Sequence, residues 1–260
     1  MLANERYKII LKLLSEKPSI TSSELAERFD VSMETVRRDL AYLDAHNRLL
    51  RVHGGAMAKN EDKQSTFPLE HRITNHTDAK RELAKNALQL VSERDVIAID
   101  SGSTAIEFAE ALCEHFRELT ILTYSWDVMQ IITQKSSFGL RAIGGDYLPE
   151  ERLFCGFLTE ESLSRVRASK CFLCPSAVSL RHGIAITIKE YYNLHNAMMR
   201  ISDHTYVLAD SSKIEATAPI RLCDAGDVDA IITDSGVDDQ IAQLYSEHGI
   251  ELYRNEKNPT

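Results

Sequence analysis

Two short stretches carry residue types whose spacing could do chemistry. In "IDSGST" an apolar run ends at Asp100, then come Ser101, Gly102, Ser103 and Thr104, and a helical pattern begins. Small hydroxyl residues and a glycine at a strand-to-helix junction let backbone N–H groups approach an anion, and the helix N-terminus adds a favourable dipole. Phosphate is the group that fits this chemistry. In "ADSSKIE", residues 210–213 again follow a β-rich run, and Lys213 could neutralise a phosphate or hold a sugar oxygen. Neither stretch is a dinucleotide G-x-G-x-x-G or a P-loop G-K-[ST]. Taken alone, the first equally describes a capped helix, and the second reads better as a surface lysine in a loop. "TYSWD" (123–127) and "IGGD" (143–146) also lie at strand ends.

A third stretch, "VSMETVRRDL", sets Arg37 beside Arg38. Met33, Val36, Leu40 and Leu43 recur at helical spacing. At about 100° per residue, Arg38 then projects almost opposite that stripe and Arg37 lies on its flank. Glu34, Thr35, Ala41 and Tyr42 spread over the outward side. A helix that shows cations on its free face can bind phosphate or the acceptor edge of guanine in a major groove.

These residues need elements to position them. Apolar Ile9, Ile10, Leu13 and Leu14 predict a first helix that Pro18 stops. Thr21 with Glu24 forms a capping box that starts a second helix bearing Leu25, Ala26 and Phe29. Ser32 caps the third, with Glu34 in its first turn. "RLLRVHGGA" follows, with strand-like Leu49, Leu50 and Val52 and a Gly54-Gly55 turn, a wing that adds Arg48, Arg51 and His53. This is the plan of a winged helix-turn-helix. Residues 57–68 are polar and unpatterned, as in a linker. Beyond them a helical pattern over "DAKRELAKNALQLV" precedes seven β-rich runs: "DVIAID", "LTILT", "LRAIGG", "KCFLC", "TYVLAD", "AIITD" and "IELYR". Their alternation with helices predicts an α/β domain built on a mainly parallel sheet. Ligands of such sheets bind beyond the carboxyl ends of the strands, so the 100–104 and 210–213 clusters can converge.

Composition sets bounds. The chain has 260 residues, 43% hydrophobic and 27% charged, with a net charge of -9. That excludes a polybasic membrane tail. No uncharged apolar run approaches a membrane span, and the charged N-terminus is unlike a signal peptide, so a cytoplasmic protein with 5 reduced cysteines is expected. Residues 1–56 carry a net +1 and the rest -10, an asymmetry that fits two parts with different partners. Cys171 and Cys174 form a C-x-x-C without a second ligand pair, and no H-E-x-x-H exists. They read as core cysteines. Neither a metal nor a cofactor is expected.

The run "ERYKII…ELAERFDVSMETVRRDLAYLD…LLRVHGGA" resembles the N-terminal signature of DeoR-type bacterial transcriptional regulators. Glu5-Arg6, Leu25-Ala26, Phe29, Val31-Ser32 and residues 35–40 and 51–56 carry the likeness. The glycine usual in that family near Asn47 is missing. The second half resembles the same family through Phe67, Arg72, Lys80, "IDSGST", "LTYS", "IGG", Gly156, Gly183, Glu190 and "LADSSK". What the resemblance implies is an effector domain like ribose-5-phosphate isomerase that binds a phosphorylated sugar or polyol. Carried over by position, the effector site is Asp100, Gly102, Ser103, Thr104, Ser125, Gly145 and Lys213. The residues expected against double-stranded operator DNA are Thr21, Ser22, Ser32, Glu34, Thr35, Arg37, Arg38, Arg51 and His53. Departures fall at Ala177, where glycine is frequent, at Ala185, where threonine is common, and near His195, where a lysine is common.

The rival expectation is a sugar-phosphate isomerase or deaminase-like enzyme with an added DNA-binding domain. Such chemistry needs a carboxylate beside the carbonyl. Residues 170–189 contain no Asp or Glu, and Glu190 alone is thin support. The expectation is therefore a non-enzymatic protein, and what the resemblance implies is a repressor of carbohydrate or related catabolic genes. Its divisions are a winged helix-turn-helix over 1–57, a linker over 58–70 and an α/β effector-sensing domain over 71–260. One winged helix covers one half-site, so a homo-oligomer is expected.

Overall fold

The structure, a computed structural model, describes residues 3–16, 19–45, 48–52, 54–58 and 68–254. Pro18, Asn47, His53, Phe67 and most of the expected linker lie outside the described residues. The chain divides into two compact units, Met1–Gln64 and Ser65–Thr260.

The first unit runs α1 (Ala3–Glu16), β1 (Ser19–Thr21), α2 (Ser22–Phe29), α3 (Met33–Ala45), β2 (Leu49–Val52) and β3 (Gly55–Ala58). The three strands pair antiparallel in the order β1-β3-β2. The Thr21 hydroxyl accepts the Glu24 N–H at 3.1 Å while the Glu24 carboxylate accepts the Thr21 N–H at 2.8 Å, so the capping box closes. Asp30, in the left-handed region at φ 52°, ends α2. Ser32 Oγ accepts the Thr35 N–H at 3.2 Å and opens α3. Ile10, Leu25, Val36, Leu40, Leu43 and Leu49 close the core. Met33 departs from the expected stripe: at the first residue of α3 it is 40% exposed, beyond the edge of that core. Asp39 takes a place on the buried face instead. It is 3% exposed and receives two hydrogen bonds from buried Arg6, at 2.5 and 3.0 Å. Gly55 is required at the wing, because a Cβ there would stand 2.2 Å from the Ile20 carbonyl oxygen.

The second unit begins with α4 (Leu69–Thr74) and α5 (Thr77–Ala87). It continues with β4 (Val96–Ile99), α6 (Ser103–His115), β5 (Thr120–Thr123), α7 (Trp126–Lys135), β6 (Gly139–Ala142), β7 (Asp146–Leu148), β8 (Leu153–Cys155) and α8 (Phe157–Ser164). Then come β9 (Ala168–Leu173), β10 (Ala177–Ser179), β11 (Gly183–Ile186), α9 (Glu190–Ile201), β12 (Ser202–Leu208), β13 (Ile220–Cys223), β14 (Ala230–Ile232), α10 (Asp239–Glu247) and β15 (Leu252–Tyr253). The seven β-rich runs read from the sequence are the seven strands of one sheet, ordered β15-β14-β12-β9-β4-β5-β6 and parallel throughout. Alternate residues feed two cores. Ala98, Leu122, Cys171 and Val207 face one, while Ile97, Ile99, Ile121 and Phe172 face the other. Cys171 and the half-buried Cys174 accordingly pack on opposite sides.

The sheet grows in one direction from β4 through β5 to β6, and in the other from β9 through β12 to β15. The reversal between β4 and β9 is the topological switch point at which open α/β sheets bind ligands. Two pieces lie outside this sheet: an antiparallel β10-β11-β13 sheet and a β7-β8 hairpin. The sequence patterns pick out neither.

Candidate DNA-reading face and effector site

The N-terminal unit presents its cations on α3. The Arg37 and Arg38 side chains are 60% and 82% exposed, loosely tethered to Glu34 at 3.8 and 3.9 Å. Such surface pairs are weak and leave both arginines available to a stronger anion. Arg51 is exposed on β2, its backbone N–H bound to Asp44 at 3.2 Å. A concavity lined by Ser22, Met33, Arg37, Asp44, Arg51 and Gly54 separates helix from wing. The other expected DNA residues do structural work. Thr21 and Ser32 cap helices, and Thr35 Oγ1 sits 3.0 Å from Ser32 Oγ. Ser22 is buried, with its N–H on the Gly54 carbonyl at 2.7 Å, so it joins α2 to the wing. His53 lies outside the described residues.

In the second unit the loop after β4 sits at the switch point. Asp100 is fully buried. Its Oδ1 accepts the Tyr124 hydroxyl, its Oδ2 accepts the Cys174 N–H at 2.7 Å, and His195 Nε2 stands 2.8 Å from that same oxygen. Burial pushes this carboxyl up. The charge of His195 and the hydrogen bonds from His195, Tyr124 and the Cys174 N–H outweigh that and hold it below the usual carboxylate range. Asp100 therefore supports the loop from beneath, with both oxygens engaged by the protein.

Above it, Gly102 caps α6 with φ 104°, a left-handed conformation that favours glycine, and no side chain caps the helix. Ser103 and Thr104 begin α6, both buried, and Thr104 Oγ1 has no hydrogen-bond partner among the described residues. Uncapped first-turn N–H groups beside a buried orphan hydroxyl are what an anion would satisfy. Lys213 ends the short helical turn at residues 211–213 that follows β12. Its positive charge is felt at Lys80 and at the Cys174 thiol. Lys80 is 3% exposed, and its ammonium donates to the Arg72 and Asn75 carbonyls. Burial, with Lys213 nearby, pulls its pKa down to about 8. Arg72 donates to Glu151, and its Nη1 lies 3.7 Å from where a Cβ on Gly102 would stand. The 100–104 loop, Arg72, Lys80 and Lys213 thus gather on one strand end.

Two expected site residues serve packing. Ser125 Oγ caps α7 by accepting the Val128 N–H at 3.4 Å. Gly145 has no room for a side chain: a Cβ would meet Thr159 Oγ1 at 1.9 Å and the Cys155 carbonyl at 2.6 Å. Two of the three departures turn out to be neighbours. Ala177 and Ala185 are cross-strand partners in β10 and β11, and His195 packs on Asp100 with its Nδ1 unpartnered among the described residues. Sequence reasoning missed Glu151, which is 5% exposed in the turn between β7 and β8, and Tyr191, which donates to it at 3.0 Å. The sequence reading weighed residues 170–189 and Glu190; Glu151 comes from elsewhere in the chain. Arg72 and Lys80 had a signal, their places in the family resemblance; Glu151 and Tyr191 had none.

Residues 6–62 match the DeoR-like helix-turn-helix domain, and residues 75–235 match the DeoR C terminal sensor domain. The chain belongs to the DeoR family. This DeoR-family regulator is 32% identical to a lactose phosphotransferase system repressor of Staphylococcus epidermidis, over 89% of the chain and 92% of that protein. It is likewise 32% identical to the L-fucose operon activator of Haemophilus influenzae, over 95% and 98%. Among solved structures, ribose 5-phosphate isomerase A from Methanocaldococcus jannaschii is similar with a TM-score of 0.40 at 17% identity, covering 54% of this chain and 55% of that one. No helix among the described residues is long and apolar enough to cross a membrane.

Proposed function

We propose that this DeoR-family regulator is a repressor of carbohydrate or related catabolic genes, released from or held on its operator by a phosphorylated sugar or polyol. Residues 1–57 read double-stranded DNA, 58–70 link, and 71–260 sense the effector. The observation that carries the effector half is the gathering of Arg72, Lys80 and Lys213 around an uncapped helix N-terminus at the switch point. The regulated genes are proposed from the printed names of relatives, a lactose system repressor and a fucose operon activator. Because these differ in sign, repression is the reading to be tested, not an inheritance.

On the DNA side, Arg37, Arg38 and Arg51 make the contacts, with Glu34 and Thr35 at the helix start and Thr21, Ser22 and Ser32 holding the frame. His53, which lies outside the described residues, is included as a DNA contact on the family resemblance alone. A homo-oligomer places two such heads on repeated or inverted half-sites. The protein acts in the cytoplasm and does no catalysis. For the rival isomerase, Glu190 is thin support, and the other buried carboxylate near the loop, Glu151, is ion-paired to Arg72 and hydrogen-bonded by Tyr191. The test is fluorescence anisotropy of the full chain on fragments upstream of its own gene, with a screen of sugar and polyol phosphates. Sequence-selective binding altered by one of them is the expected result. Solvent-deuterium exchange into that compound, abolished by Glu151→Gln, would establish the enzyme instead.

A further inference from the structure

We infer that Met33 is a specificity residue of the DNA-reading head, and that it touches the 5-methyl group of a thymine in the operator's major groove. The inference rests on the DNA reading of the first unit, with α3 as the helix that enters the groove. In a helix-turn-helix the leading residues of that helix meet the base edges. Met33 is the first residue of α3. The Cα–Cβ bonds of a helix tilt towards its N-terminus, so a side chain at this position extends past the leading end. There it is 40% exposed, an apolar group that the core of the unit does not take up.

Its neighbours place it further. Met33, Arg37 and Asp44 follow one another at i, i+4 and i+11, close to one line along the helix. The same three residues line the concavity between α3 and the wing, together with Arg51 of β2. Both arginines are exposed and suited to the phosphates that flank a base. The rest of the first turn is occupied. Val36 is buried in the core. Thr35 Oγ1 sits 3.0 Å from Ser32 Oγ, the helix cap. The Glu34 carboxylate stands 3.8 and 3.9 Å from Arg37 and Arg38. Met33 is thus the apolar group at the front of the helix.

Chemistry selects what such a group can recognise. The floor of the major groove presents hydrogen-bond donors, acceptors and one apolar group, the thymine methyl. A thioether is a weak acceptor and donates nothing. Pressed against a guanine or adenine edge, it would strip water from polar atoms without replacing the hydrogen bonds. Pressed against a thymine methyl, it removes two apolar surfaces from water. Its unbranched, flexible chain adapts to the contact. A single exposed methionine elsewhere on a surface would need no explanation. One at the leading end of the groove helix, beside two cations, is in position to touch a base.

Selection of random duplexes by the full chain gives the operator motif, and each of its thymines is then replaced in turn by uracil, which lacks only the methyl. Wild type is expected to fix one T·A pair in each half-site whose thymine-to-uracil change weakens binding by about fourfold, the scale of one buried methyl-sized group. Anisotropy titrations should show Met33→Ala binding the thymine and uracil operators alike at that position. Arg38→Ala, a change in a different contact, should keep the wild-type ratio. A motif without a fixed thymine, no effect of uracil at any thymine, or a ratio that Met33→Ala leaves unmoved overturns the role of Met33 alone. Failure of wild type to enrich any motif removes the DNA reading and this inference with it. Should Met33→Ala lose its cooperative melting, Met33→Gln replaces it. Glutamine keeps the length and ends in an amide, so the ratio should again approach one, and an unmoved ratio there counts equally against the contact.

Discussion

Lys80 shows how a residue can be both structural and electrically poised. Its ammonium is buried against two carbonyls and shares a neighbourhood with Lys213 and Arg72. The folded pKa, about 8, lies below the ordinary 10.5. The unfolded chain therefore binds the proton more tightly, and this lysine's penalty is full below about pH 8 and fades as pH rises towards 10.5. The stability of wild type relative to Lys80→Met should climb across that window, as read from urea titrations at several pH values. A flat difference would mean that the carbonyl contacts fully offset burial. Arg38 is the opposite case, exposed and, among the described residues, held only by Glu34. Arg38→Ala should leave melting unchanged and weaken operator binding by about 1–3 kcal/mol if it reads a base, with a loss of discrimination at one position. If it holds only phosphate, weakening is uniform and the salt slope shrinks. Unchanged affinity in anisotropy titrations would remove Arg38 from the groove.

At the scale of elements, legibility followed period and chemistry. The capping box of α2, the Ser32 cap of α3 and all seven strands of the parallel sheet were readable, because caps use a few residue types and the β-rich runs alternate with helical patterns. The β7-β8 hairpin and the β10-β11-β13 sheet were not, and with them went Glu151. Its place in the site comes from a turn whose sequence, "LPEER", carries no signal of where it folds back. The loop at 100–104 was legible as a loop; that Asp100 faces inward was not, because His195 and Tyr124 reach it from α9 and from the end of β5. Asp39 could have been found: an acid three residues beyond Val36 and one before Leu40 lies on the core face and demands a buried cation. Arg6 supplies it. Asp39→Ala strands that guanidinium and should cost the N-terminal unit about 3–5 kcal/mol, whereas a paired exchange of Arg6 and Asp39 for apolar residues should cost far less. Hydrogen exchange along α1 and α3 measures it, and equal losses in both variants would show that the pair's charge is not what holds these helices.

For the whole molecule, what needs explaining is how one unit informs the other, and thermodynamics constrains the answer before any path is known. If the effector changes operator affinity by some factor, the operator must change effector affinity by the same factor. Lys213 offers a clean probe. It is partly exposed at the end of a short turn, makes no side-chain hydrogen bond among the described residues, and contributes charge to the site. Lys213→Ala should therefore fold normally and bind operator like wild type when no effector is present. Its effector affinity should fall by about tenfold or more, the scale of a charged contact. The coupling factor itself should survive, because a residue that only holds ligand does not set the difference between the two states. At low effector the variant will fail to respond. At saturating effector it should recover the wild-type response, and the reciprocal shift in effector affinity on adding operator should match it. Anisotropy of labelled operator across an effector series, and calorimetry of effector with and without operator, give both halves of the cycle. A Lys213→Ala response identical to wild type at every concentration would make the lysine surface decoration and place the effector elsewhere. A response lost even at saturation would make Lys213 part of the switch and not only of the grip.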